Sequence, residues 1–118
     1  MLSSEGENTL EVKTPKEFFE KALPTKFNPD KAKGFEAVAQ VNITGTDGGH
    51  WIIIIKNQKI ETKEGVAPSP AITLKMKDTD FVDLVNGKLN AVNAFMTGKL
   101  EFNGSMAIGL KLLDIGFM

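Results

Sequence analysis

Few side chains in this sequence could do chemistry, and their spacing says what they could do. His50 is the only histidine and sits in the turn-like stretch "DGGHW". With no second histidine and no cysteine, neither a thiolate nucleophile nor a transition-metal site is expected. The serines are Ser3, Ser4, Ser69 and Ser105. Ser3 and Ser4 lie in a polar N-terminal arm, Ser69 is in a proline loop and Ser105 has the position of a helix N-cap, so none has an evident base. Asp78, Asp80 and Asp83 crowd one short helical stretch, where carboxylates suit the positive end of a helix and a solvated face. One of them could serve as a general base only if an apolar cavity raised its pKa. The glycines of "GTDGG" lie between two strands and are not followed by Gly-Lys-Ser/Thr, so they do not form a phosphate loop. The expectation is a non-enzyme with no metal and no cofactor.

The elements that must position these residues belong to one domain. The chain has 118 residues and a mass of 12.8 kDa, enough for a single hydrophobic core. Fourteen basic and fifteen acidic residues nearly cancel, which gives no long-range attraction to nucleic acid or an anionic membrane. The absence of cysteine suits a reducing, cytoplasmic location. "MLSSEGENTLEVKT" lacks the basic and apolar regions of a signal peptide, and "WIIII" is far too short to cross a bilayer. Residues 1–12 read as a loose arm and residues 13–118 as the domain.

Periodicity then orders the domain. In "TPKEFFEKALP", Thr14 is a cap, Pro15 fits the first turn, Glu17 is placed for a capping box, and Pro24 is expected to end the helix. "NPDKAKG" repeats these signals as a short second helix. "FEAVAQVNITG" alternates as a half-buried strand with Gln40 and Asn42 outward, and "WIIIIK" is apolar on both faces, as in a central strand. "NQK" permits a tight reversal into "IETKEG", a polar edge strand, and "AITLKMK" alternates again. Two short helices follow, ending at Gly87 and Gly98, then the strand "KLEFN" and a terminal helix capped by Ser105. Strands joined in succession, with helices at both ends of the chain, imply an α+β fold. The sheet is expected to be mostly antiparallel and five-stranded, with helices mainly on one face.

The terminal helix raises the functional question. Met106, Leu110, Leu113 and Phe117 make one apolar row, while Ile108, Leu112 and Ile115 make a second on a different side. One small domain has little surface to cover both rows. The second row must therefore face core, a partner chain or an apolar ligand.

"GGHWIIIIKNQKIETKEG" and the pattern "GKL…AFMTGKLEFNGSM…LKLL" resemble the sterol carrier protein type 2 domain. The pattern falls on Gly87, Lys88, Leu89, Ala94, Phe95, Met96, Gly98, Lys99, Leu100, Gly104, Met106 and Leu110 to Leu113. The upstream "FNPDKAKGFEAVAQVNITGTDGGHW" is similar to small prokaryotic versions of the domain. The resemblance implies an apolar tunnel enclosed by the sheet and a helical layer, and lipid ligands: fatty acids, fatty acyl-CoAs, sterols or phospholipids. By position it implies Phe95, Met96, Leu100, Met106 and Leu110 as ligand-binding residues. The apolar pattern adds Phe18, Trp51, Phe81, Leu84, Val85 and Leu113 as further wall candidates. Lys88 and Lys99 are surface lysines near the motif that could meet a carboxylate or the phosphates of CoA. The chain stops soon after "LKLL", so the peroxisomal tail of some eukaryotic members does not carry over. Partners expected are an apolar small molecule and transient membrane contact, with the protein a monomer or homodimer. The competing reading is an interaction module whose terminal helix docks on a second copy or on a partner enzyme.

Overall fold

A computed structural model describes residues 11–117 of the chain. Most of the arm expected over residues 1–12 lies outside these residues. Val12 is tied down: its amide donates to Asn86 Oδ1 (2.9 Å), and Asn86 Nδ2 donates back to its carbonyl (2.8 Å).

Helix α1 opens at Pro15–Glu17, widens into a π-helical turn over Phe18–Ala22 and closes at Leu23–Lys26. Thr14 Oγ1 accepts from the Glu17 amide (3.2 Å), as a cap should, but Glu17 Oε1 accepts from the Lys13 amide (2.8 Å) rather than from Thr14. Pro24 does not stop the helix. The widened turn directly before it relieves the clash between the proline ring and the carbonyl four residues back, so the helix runs on to Lys26. No helix forms at "NPDKAKG". Asn28 Oδ1 does accept from the amides of Asp30 and Lys31, but the backbone bonds that follow span only three residues, and Gly34 turns the chain at φ +75°.

Strands β1 (Ala37–Thr44), β2 (Gly49–Lys56), β3 (Lys59–Glu64) and β4 (Ile72–Lys77) lead to helices α2 (Asp78–Val85) and α3 (Ala91–Met96). Strand β5 (Leu100–Gly104) and helix α4 (Met106–Leu112) complete the fold, and the coil of α4 continues as a π-helical turn over Leu113–Phe117. The sheet order is β3-β2-β1-β4-β5. It is mixed, where a mostly antiparallel sheet was expected: β1 and β4 pair in parallel, with Val41 opposite Leu74. The β2–β3 reversal places Asn57 and Gln58 at positive φ, +55° and +60°, the geometry of the tightest hairpins.

The parallel pairing follows from a crossover that Gln40 pins. Residues 65–71 leave the β3 edge and pass over β2 and β1 to reach β4. Gln40, expected outward, is instead buried beneath this segment. Its Oε1 accepts from the Ala67 amide (2.7 Å), and its Nε2 donates to the Gly65 carbonyl (3.0 Å) and to Asn42 Oδ1 (3.0 Å). Ile52 and Ala67 are buried on this face as well, which accounts for a β2 strand apolar on both sides. The opposite face carries the main core. Val41, Trp51 and Leu74 lie in register there, as do Ala39, Ile53 and Ile72, and α1, α2 and α4 cover them.

Candidate functional site

An apolar concavity with a volume of about 360 Å³ lies between α3, β5 and α4. Each wall has a sequence reason. Asn90 caps α3, its Oδ1 accepting from the Asn93 amide (3.1 Å). Ala91 and Ala94, one turn apart, are buried, so the small face of α3 packs inward while Val92 and Phe95 stay open to solvent. On β5, Leu100 is buried and Phe102, two residues on, is only partly covered. The Phe95 and Phe102 rings meet at 5.4 Å between centroids, tilted by 42°.

Ser105 caps α4 by accepting from the Ile108 amide (3.3 Å). Gly109 then lets the helix approach the sheet: a Cβ there would stand 2.8 Å from Ile72 Cδ1 and 2.9 Å from Phe102 Cε1. This contact splits the two apolar rows. Leu112 and Ile115 are buried, whereas Met106 and Leu110 are 39% and 51% exposed along the groove and Leu113 forms its inner wall. Large side chains left half open on three neighbouring elements mark a binding surface better than scattered exposed residues would. The volume falls in the range of about 300–1,000 Å³ usual for small-molecule sites.

The groove has almost no polarity. Among the described residues Asn90 is its one polar lining residue, and no ionisable side chain lines it. The other concavities are of different character. One of about 300 Å³ lies between Thr14, Lys16, Asp47, His50, Trp51 and Glu64, with charges of both signs.

Of the residues read from the sequence, Phe95, Met106, Leu110 and Leu113 come together on the groove. Met96 is 75% exposed beside it without lining it, and Leu100 is buried in the sheet. Phe18, Trp51, Phe81, Leu84 and Val85 lie in the core. There Phe18 meets Phe81 edge-on (5.5 Å), and Phe19 stacks on both Trp51 (4.8 Å) and Phe81 (5.4 Å). Sequence reasoning missed Asn90, Ala91, Val92 and Phe102 as lining residues. Phe102 had a usable signal, since it shares the strand face of Leu100 and stands seven residues after Phe95.

The potentially reactive groups are spread apart. His50 Nδ1 lies 2.7 Å from Asn42 Oδ1, an acceptor, which selects the tautomer protonated at Nδ1. Asp78 is buried with its oxygens accepting from the amides of Asp47 (2.9 Å) and Thr79 (2.8 Å). The Asp47 bond is the main reason its carboxyl is held below the usual range; burial pulls the other way and is outweighed. Lys26 donates to the Val85 carbonyl at the end of α2 (3.1 Å) over the Phe18 ring, and desolvation lowers its pKa. Lys88 pairs with Glu11 (3.2 Å). None of these side chains reaches the groove lining.

Comparison with known proteins decides the family. The model of the SCP-2 sterol transfer family matches residues 16–115. This chain belongs to that family. Among curated relatives, hydroxysteroid dehydrogenase-like protein 2 of Bos taurus is 37% identical over 84 residues, 70% of this chain and 20% of the relative. Peroxisomal multifunctional enzyme A of Dictyostelium discoideum is 37% identical over 89 residues, 69% of this chain and 20% of that protein. This chain therefore spans about a fifth of the length of the curated relatives it matches. Among solved structures, palmitated SCP2L2 from Aedes aegypti aligns with a TM-score of 0.66 at 25% identity, covering 84% of this chain and 91% of the other. The sec-alkylsulfatase Pisa1 from a Pseudomonas species aligns with a TM-score of 0.78 over 90% of this chain and 17% of its own. At 18% identity it shares the fold alone.

Family membership gives the groove its context. The matched region includes α3, β5 and α4, so all three groove walls lie within the family domain. Among the described residues the groove is an open cleft, and no helix is long and apolar enough to cross a membrane.

Proposed function

We propose that this chain binds the apolar part of a lipid in the groove between α3, β5 and α4 and carries it without catalysing a reaction. The observation that carries this reading is the half-open cluster of Phe95, Met106 and Leu110 around a groove with no described ionisable lining residue. Membership of a sterol transfer family supports it, as does the likeness to a structure described as palmitated. Each methylene taken from water contributes about 0.8 kcal/mol, so five or six of them supply roughly 4–5 kcal/mol before ordering costs, with no specific polar contact. A bound chain long enough to draw α4 over itself would turn the open groove into a tunnel. Acyl-CoA as a ligand and a cytoplasmic setting belong to the same proposal.

Native mass spectrometry of the purified protein, with solvent extraction of whatever is released, tests the reading. A lipid-sized adduct at one per chain, lost on extraction, is the expected result. A bare mass unmoved by added palmitate or cholesterol would count against it.

A second reading has its own support: the curated relatives are about five times longer than the matched segment, so this domain occurs joined to others. There the groove and the exposed Met96 would dock on a partner protein. Light scattering over a dilution series tests the case in which the partner is a second copy, which requires a dimer that dissociates as it is diluted.

A further inference from the structure

We infer that the concavity between the start of α1, the β1–β2 turn and the end of β3 is a second binding site, for a small zwitterion of the α-amino acid type. It is independent of the lipid-groove reading, since the two concavities share no lining residue.

Trp51 supplies the observation that points to a ligand. The residue is 5% exposed and its ring stacks on Phe19, yet the indole Nε1–H has no hydrogen-bond partner among the described residues. No described side-chain nitrogen is both fully covered and unpartnered, so this N–H must open outward. Gly49 shows where. A Cβ at that position would lie 3.6 Å from Nε1, so the indole edge stands against Gly49, and both residues line the concavity of about 300 Å³. Packing fixes the ring, and its one donor is held at the wall with an acceptor still to find.

Charges around that donor name the ligand's chemistry. Lys16 Nζ lies 4.0 Å from Glu64 Oε2, at the outer limit of ion pairing, and Asp47 adds a further carboxylate to the lining. An anion alone would meet Lys16 and the indole but also two like charges. A cation alone would suit Asp47 and Glu64 and leave the N–H unsatisfied. A molecule carrying a carboxylate and an ammonium on one carbon answers both. Its oxygens accept from the indole N–H and the Lys16 ammonium, and its nitrogen donates to Glu64 and Asp47. The closeness of Lys16 to Glu64 matches charges set on one carbon better than charges held apart by a longer chain.

Trp51 is the only tryptophan, so a ¹H–¹⁵N spectrum of the labelled protein holds one indole cross-peak to watch. Titration with glycine should move its proton downfield saturably, half-complete at about 1–10 mM for a ligand of so few atoms. Acetate and methylammonium carry one charge each, and phosphorylethanolamine carries both signs far apart; each should need about tenfold more than glycine. Lys16→Gln and Glu64→Gln change side chains that are 63% and 62% exposed, so the fold should stand while glycine binds about fivefold more weakly. A wild-type cross-peak that glycine leaves in place would overturn the inference, with water alone meeting the N–H. Acetate acting as well as glycine, or both variants binding it like the wild type, would overturn the zwitterion assignment. Phosphorylethanolamine acting as well as glycine would overturn the amino-acid class in favour of a lipid headgroup.

Discussion

Leu110 and Leu112 stand two residues apart on α4, and their opposite exposures predict opposite phenotypes. Leu110 is 51% exposed, so a ligand in the groove would cover about half of its side chain. Half of the roughly 1.5–3 kcal/mol that a fully buried leucine contributes is about 1 kcal/mol. Replacing it by aspartate loses that amount and sets a carboxylate against the ligand with no described cation in the lining, at a cost of about 1–3 kcal/mol more. The total of about 2–4 kcal/mol corresponds to a roughly 30- to 700-fold weaker complex. The unliganded fold should lose no more than about 1 kcal/mol, since the site already faces water. Leu112 is 2% exposed, and Leu112→Ala should cost about 2–5 kcal/mol of stability through the cavity it leaves. Urea denaturation followed by titration with a fluorescent fatty alcohol separates the two effects. A Leu110→Asp protein that folds like the wild type and binds the alcohol with unchanged affinity would refute the groove assignment, however Leu112→Ala behaves.

Gln40→Leu should cost about 2–4 kcal/mol in urea denaturation, because the Ala67 amide and the Gly65 carbonyl lose their buried partner, and amide exchange over residues 65–71 should speed up. A change under about 0.5 kcal/mol would mean that the crossover is held by something else. Gly109→Val pushes α4 away from Ile72 and drives Phe102 toward the groove; about 1–3 kcal/mol of stability and much of the lipid affinity should go, and a variant normal in both assays would contradict the close approach. Asp78 has a carboxyl pKa below its unfolded value, so the stability it contributes is present at neutral pH and lost as the pH falls from about 4 through the lower folded value. Midpoints of denaturation measured down that range should fall less steeply for Asp78→Asn than for the wild type, and parallel acid limbs would show that the Asp47 and Thr79 amides do not set the shift.

What the sequence revealed of this fold depended on how local each signal was. The strand at β1, the two-faced apolar run of β2, the cap at Ser105 and the glycine terminators at Gly87 and Gly98 are all read within a few residues, and all appear in the structure, although Gln40 of β1 is buried rather than outward. The mixed sheet was not legible, because the parallel β1–β4 pair depends on Gln40 meeting Ala67, a contact 27 positions apart. Pro24 misled for a related reason: a proline marks a helix end only if the preceding turn is α-helical, and here that turn is widened. The two-sided apolar pattern of α4 correctly raised the question of what covers its second row. It could not separate Leu113, on the inner wall, from Leu112 in the core. Hydrophobic spacing likewise placed Phe18, Phe81 and Leu84 inward without telling a core from a ligand cavity. Asn90 carried no signal beyond that of a helix cap.

The methionines offer the most direct test of where the ligand sits. Met76 is buried in the core, Met96 is exposed outside the groove and Met106 lines it. NMR of protein labelled with ¹³C at the methionine methyl groups, titrated with dodecanol, should shift the Met106 resonance strongly and saturably while those of Met76 and Met96 stay nearly fixed. A Met106 resonance that does not move while dodecanol demonstrably binds would place the lipid elsewhere on the protein and contradict the account.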